Sequence, residues 1–145
     1  MHVYKRGFTL VETLVVLGIA TLLISTSGLS FKKTIAWQQE QAFWSNFDTE
    51  WKQYERFANL DGTITYITFN HKSGTVSFNP LKVFHKDAHS VKIPDSLQLY
   101  SDHEVKIGSD GYVKPQTISF HSDRDDSIYR LTIQLGWGVY HVKKE

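Results

Sequence analysis

The chain has no cysteine among its 145 residues, so disulfide staples, thiolate catalysis and cysteine-ligated zinc are excluded. Charge of one sign is also lacking. The formal net charge is +1, which gives no global electrostatic case for binding nucleic acid. Proline is scarce, with three in the chain, and neither proline nor glycine interrupts the stretch from Leu29 to Leu60. Internal repeats and low-complexity segments are absent. No nucleophile elbow or other local catalytic motif gathers the Ser, His and Asp residues, so no enzyme, no catalytic residue and no cofactor are expected. No phosphate loop is present either.

What is present is one long apolar run with a single charge in it. From Phe8 to Leu29 the only ionisable residue is Glu12. As a helix this run would be about 33 Å long, enough to cross a hydrocarbon core of roughly 30 Å. Lys5 and Arg6 precede it with no acid to balance them, which favours a cytoplasmic N-terminus and a single pass. Lys32 and Lys33 on the far side oppose that vote. A simple anchor or a secretory signal peptide is the plain reading, and Ser25-Thr26-Ser27 has the small-x-small form of a cleavage site. Glu12 argues against it. A carboxylate at the centre of a membrane helix costs roughly 2.5–3.5 kcal/mol on insertion scales, less near the end, and such residues are kept by pairing. A cut between Gly7 and Phe8 would place a new α-amine four residues before Glu12. That amine, in the same chain or in a neighbour, would pair with the carboxylate, and an intermolecular pair would set an axial register between subunits.

A second pattern follows. Trp37, Trp44 and Trp51 recur every seven residues, Phe47 and Tyr54 fill in between, and Ala58 continues the series. This stripe predicts the core face of an amphipathic helix, with Gln38, Gln39, Glu40, Lys52, Gln53 and Glu55 mostly on other faces. One nearly continuous helix from about Thr9 to about Asn59 is expected, ending at Asp61-Gly62. After Gly62 the period changes to two. Strands are predicted over Thr63–Phe69, Thr75–Phe78, Leu97–Tyr100, Glu104–Ile107, Thr117–Phe120, Ile128–Leu135 and Val139–Val142, with residues 79–96 as a loop crossing the sheet. Gly136 and Gly138 serve the last turn. The expected fold class is α+β: residues 8–29 as a membrane-spanning first half of a long helix, 30–60 as its amphipathic continuation, and 61–145 as an antiparallel β-sheet domain against its outer part.

With these residues in place, the N-terminus resembles the prepilin signal of type IV pilins and pseudopilins. A short basic leader, residues 1–7, ends in Gly7 and is followed by Phe8-Thr9-Leu10-Val11-Glu12 and an apolar stretch. The resemblance implies that a membrane-embedded prepilin peptidase cuts after Gly7 and that Phe8 becomes the N-methylated first residue. It also implies that Glu12 is the assembly carboxylate, that the helices pack together in a filament core, and that the partners are other pseudopilin subunits. Before assembly the subunit would lie in membrane lipid, and afterwards at the cell surface. The C-terminal run from Tyr129 to Lys144 is similar to the end of ComGD-type competence pseudopilins of Gram-positive bacteria, which implies a minor pseudopilin acting in transformation and DNA uptake. A type II secretion-type pseudopilin and an exported monomeric binding domain are the alternatives.

Other clusters have plainer readings. His85 and His89 lie in the 79–96 loop, where helical ligand spacing is not expected, so no metal site is expected there. Asp123-Arg124-Asp125-Asp126 lacks the spacing of a calcium loop and reads as a solvated hairpin turn. Lys82, Lys86 and Lys92, with Phe84 and His85, and the terminal Lys143 and Lys144 would offer phosphate and stacking contacts to DNA. Asp87 and Asp95 sit among the loop lysines and favour a solvated surface over direct DNA contact.

Overall fold

The computed structural model describes residues 9–81, 88–134 and 138–145, with the side chains of residues 26–30 outside the described set. Gly7, Phe8, Lys82, Phe84, His85, Lys86, Asp87 and Gly136 lie outside the described residues.

A single helix, α1 (Leu10–Asp61), opens the chain. It stops where expected: Gly62 follows in the left-handed region at φ 59°, a conformation that costs glycine little. Eight strands follow, β1 (Thr65–Asn70), β2 (Thr75–Pro80), β3 (His89–Lys92), β4 (Leu97–Leu99), β5 (His103–Ile107), β6 (Gln116–Ser122), β7 (Ser127–Ile133) and β8 (Tyr140–Lys144). They form two four-stranded sheets, ordered β3-β2-β1-β5 and β4-β6-β7-β8. Every described pairing is antiparallel. One expectation is corrected. The segment 79–96 contains strand β3, which pairs with β2 through Val91↔Val76. The strands divide between two sheets, because β1 takes β5 as its second partner and β4 takes β6.

The chain resolves into two compact units, Met1–Ile35 and Ala36–Glu145. In the second, the aromatic stripe does what its period predicts. Phe47, Trp51, Tyr54 and Ala58 are buried, and they are joined by Phe43 and by the inward residues of both sheets, including Ile67, Phe69, Phe78, Ile118, Phe120 and Leu131. Tyr54 stacks on Phe78, with ring centroids 5.2 Å apart and planes 9° apart. Trp51 Nε1 donates to the Gly138 carbonyl at 2.8 Å, tying the helix to the turn before β8. Tyr140 closes the same corner: its hydroxyl donates to Asp48 Oδ1 at 2.8 Å while its ring sits edge-on to Trp51. Burial, and then Asp48, raise the Tyr140 hydroxyl above its ordinary range. Trp37 departs from the expected stripe and is 48% exposed.

Candidate functional site

Two carboxylates on α1, one in each unit, are the candidates the structure offers. Glu12 lies in the first turn. The helix starts there because Thr9 caps it. The Glu12 backbone N–H donates to Thr9 Oγ1 at 3.3 Å, and the Thr13 N–H donates to the Thr9 carbonyl at 3.2 Å. Thr9-Leu10-Val11-Glu12 therefore has the sequence of a capping box, with the acid at the third helical position, where a negative charge also meets the positive end of the helix dipole. Reading the chain as a membrane segment alone missed this local role; the T-x-x-E spacing was the signal. The Glu12 side chain is exposed, and so are Leu10, Val11, Leu14, Val15, Val16, Leu17, Ile19, Leu22, Leu23 and Ile24 around it. Among the described residues no helix is long and apolar enough to cross a membrane, and the described apolar side chains of this stretch end before residue 26. An apolar surface of this extent on one helix marks a lipid or protein contact.

The second carboxylate was not foreseen. Glu40, expected on a polar face, is fully buried at 0% exposure. Ser122 Oγ donates to its Oε1 at 2.7 Å, and Tyr129 Oη donates to its Oε2 at 3.1 Å. Arg124 Nε and Nη2 approach the same oxygen at 3.4 Å each. These partners come from β6, β7 and the turn between them, so the carboxylate fixes the β6–β7 hairpin on α1. Burial works against the Arg124 charge, but Glu40, with Tyr129 and Asp125, outweighs it and raises the Arg124 pKa. The hairpin turn is therefore not wholly solvated. Its aspartates are exposed, while Arg124 turns inward with 14% of its side chain accessible. The signal was present in the sequence, since Glu40 precedes Phe47 and Tyr54 at intervals of seven and so lies on their track.

The same turn carries a titratable contact. Lys144 and Ser127 hydrogen-bond Asp125, and with Arg124 they hold its carboxyl at about 2. A carboxyl whose folded pKa lies below the unfolded value contributes stability above the unfolded pKa. That contribution fades as pH falls from about 4 toward about 2. Asp125→Asn is expected to lower the urea midpoint near neutral pH and to flatten its dependence across that acid window. An unchanged acid slope would refute the assignment.

The remaining candidates stay dispersed. His89 Nδ1 lies 3.1 Å from Glu50 Oε1. Among the described residues no group of three or more His, Asp and Glu side chains is placed to hold a metal. Lys92 pairs with Asp95, Lys143 with Glu145, and Lys144 with Asp125, so these lysines are already neutralised locally.

Comparison with known proteins bears on both units. No curated protein matches the chain. The family model for the prokaryotic N-terminal methylation motif matches residues 3–27, a span that includes Gly7, Phe8 and Glu12. The fold is similar to that of the minor pseudopilin EpsH from the type 2 secretion system of Vibrio cholerae, with a TM-score of 0.58 and 18% identity over 72% of this chain and 96% of that one. The chain thus carries a prokaryotic N-terminal methylation motif on an α+β fold of the pseudopilin kind.

Proposed function

We propose that this protein is a minor pseudopilin: a membrane-inserted precursor with its N-terminus in the cytoplasm, cut between Gly7 and Phe8 and methylated on the Phe8 amine. The mature subunit then enters a short filament at the cell exterior. The observation that carries this reading is the continuity of one helix. The methylation motif, residues 3–27, runs into α1, and α1 continues to Asp61 as the core element of a β-rich domain with a pseudopilin-like fold. The subunit's work is structural. The apolar face of residues 10–24 contacts lipid before assembly and neighbouring helices after it, and Glu12 meets the Phe8 amine of an adjacent subunit. Prepilin peptidase and other pseudopilins are its partners.

Within this reading we assign the filament to transformation, where it brings external DNA to the uptake machinery. The support is the C-terminal run Tyr129–Lys144 and its similarity to ComGD-type subunits. The second reading, a secretion filament, is favoured by the fold similarity to EpsH. In either case DNA contact by this subunit is no part of the proposal, since Lys92, Lys143 and Lys144 already have acidic partners. Mass spectrometry of the mature protein tests the main proposal: the N-terminal residue should be N-methyl-Phe8. An intact Met1, or a terminus at Gly28 produced by an ordinary signal peptidase, would overturn it. A deletion strain decides the branch, through loss of transformation on one side or of protein export on the other.

A further inference from the structure

Sheet edges are where one β domain can join another, because their outer backbone groups have no partner strand. The two sheets have four edges, and they are not equivalent. The edge at β5 is covered: Gln116 Nε2 donates to the outward Glu104 carbonyl, and Val113 bridges to Ile107. The edge at β3 has four residues, of which only Val91 is apolar and buried. The sheet β4-β6-β7-β8 ends in β4 and β8, and among the described residues neither has a strand on its far side.

The hydrogen-bond register shows which backbone groups point outward. Ile128 and Glu145 exchange both bonds, and Gln134 N–H donates to the Val139 carbonyl, so Val139, His141, Lys143 and Glu145 face β7. Tyr140, Val142 and Lys144 therefore direct their N–H and C=O groups away from the sheet. On β4, the Asp123 N–H donates to the Ser96 carbonyl, so Gln98 faces β6 while Leu97 and Leu99 face out. The Leu97 N–H already donates to the Pro94 carbonyl; among the described residues its carbonyl and both groups of Leu99 remain. A groove of about 350 Å³ lined by Leu97, Gln98 and Leu99, together with His71, Ser73 and Gly74, borders this edge.

We propose that the β8 edge of one copy of this chain pairs with the β4 edge of a second copy, antiparallel, with Val142 opposite Leu97 and Tyr140 opposite Leu99. The register is chosen by side-chain complementarity. It sets Val139, 51% exposed, opposite Tyr100, 62% exposed, on the outer face. On the inner face it extends the apolar row of Leu97 and Leu99 with Val142 and Tyr140. It brings Asp95, with its partner Lys92, to the Lys144 end of β8, where Lys144 keeps Asp125, and sets Lys143 opposite Ser96. Lysines on an edge strand ordinarily oppose pairing, and this register leaves no lysine facing a lysine. Because every strand in the sheet is antiparallel to its neighbour, β4 and β8 run in opposite directions, and copies sharing one orientation present the two edges correctly. The contact joins two different surfaces, so it can repeat. It involves only the β domain and does not depend on Glu12 or on processing at Gly7.

The absence of native cysteine makes the test direct. In the proposed register Gln98 and His141 form a directly opposed non-hydrogen-bonded pair, with Cα atoms roughly 4.5 Å apart, within reach of a disulfide. Full-length Gln98→Cys and His141→Cys chains are co-expressed and oxidised in the membrane. The expected result is a covalent dimer from the co-expressed pair and none from either variant alone. Adding Val142→Pro to the His141→Cys chain should abolish the dimer while leaving the β7–β8 ladder intact, since that N–H points outward; circular dichroism confirms the fold. No dimer from the pair, equal dimer from the single variants, or a cross-linked product whose mass is not twice that of the chain would each overturn the proposal.

Discussion

Arg124→Met is expected to destabilise the β domain by about 3–5 kcal/mol, the cost of leaving a buried carboxylate without its counter-charge. Glu40 has no access to solvent, and Arg124 is the only cation among its described hydrogen-bond partners. The reverse substitution should cost less. Glu40→Gln removes the charge, and the Ser122 and Tyr129 hydroxyls can still bond the amide, so a loss of about 1–2 kcal/mol is expected. The size of the Arg124→Met loss is the diagnostic. If the pair only filled space, both near-isosteric variants would be tolerated and Arg124→Met would cost little. Urea midpoints of the full chain in detergent decide this. The double variant, compared with the two singles, should show a coupling of about 1–3 kcal/mol. A coupling near zero would mean that the guanidinium does not compensate the carboxylate.

The same pair shows how far the sequence could be read. The heptad track through Phe47, Tyr54 and Ala58 correctly marked a buried helix face, because packing against a sheet demands a stripe of that period. Extending the track back by seven residues from Phe47 reaches Glu40, but residue type assigned it to water. Burial of an acid depends on partners 82 and 89 residues away in β6 and β7, and no local pattern reports them. Trp37 errs in the opposite direction, having the residue type and spacing of the core while being half exposed. The hairpin β6–β7 was legible from its two alternating runs and the polar turn between them. Strand β3 was not, because His-Ser-Val-Lys offers one apolar side chain and no alternation to detect. The division into two sheets was hidden for a related reason: period-two alternation marks a strand but not its partner, and β1 with β5 and β4 with β6 are non-local choices. At the N-terminus the motif was legible because its signature lies in neighbouring residues of the chain, within residues 3–27.

Glu12→Gln is expected to abolish incorporation into filaments while leaving the subunit folded, inserted and processed. The separation follows from where the forces lie. The cap that starts α1 uses the backbone N–H of residue 12 and the hydroxyl of Thr9, and both survive the substitution. What is lost from the helix itself is the favourable placement of a charge near the dipole, about 0.3–1 kcal/mol, too little to unfold a helix continuous from Leu10 to Asp61. Insertion should become easier, because a neutral amide costs less than a carboxylate in an apolar surrounding. The assembled state loses most. There the proposed Phe8 amine of the neighbour would be left buried against an uncharged amide, and removing one partner of such a pair costs roughly 3–5 kcal/mol per contact. A loss of that size shifts the incorporation equilibrium by more than about a hundred-fold, so a near-complete loss of incorporation is expected for Gln and for Ala alike, with partial recovery for Glu12→Asp. Membrane fractionation reads insertion, the mass of the N-terminus reads processing, and the sheared filament fraction reads assembly. Normal incorporation of Glu12→Gln would mean that the carboxylate does not set the register and that its role ends with starting the helix.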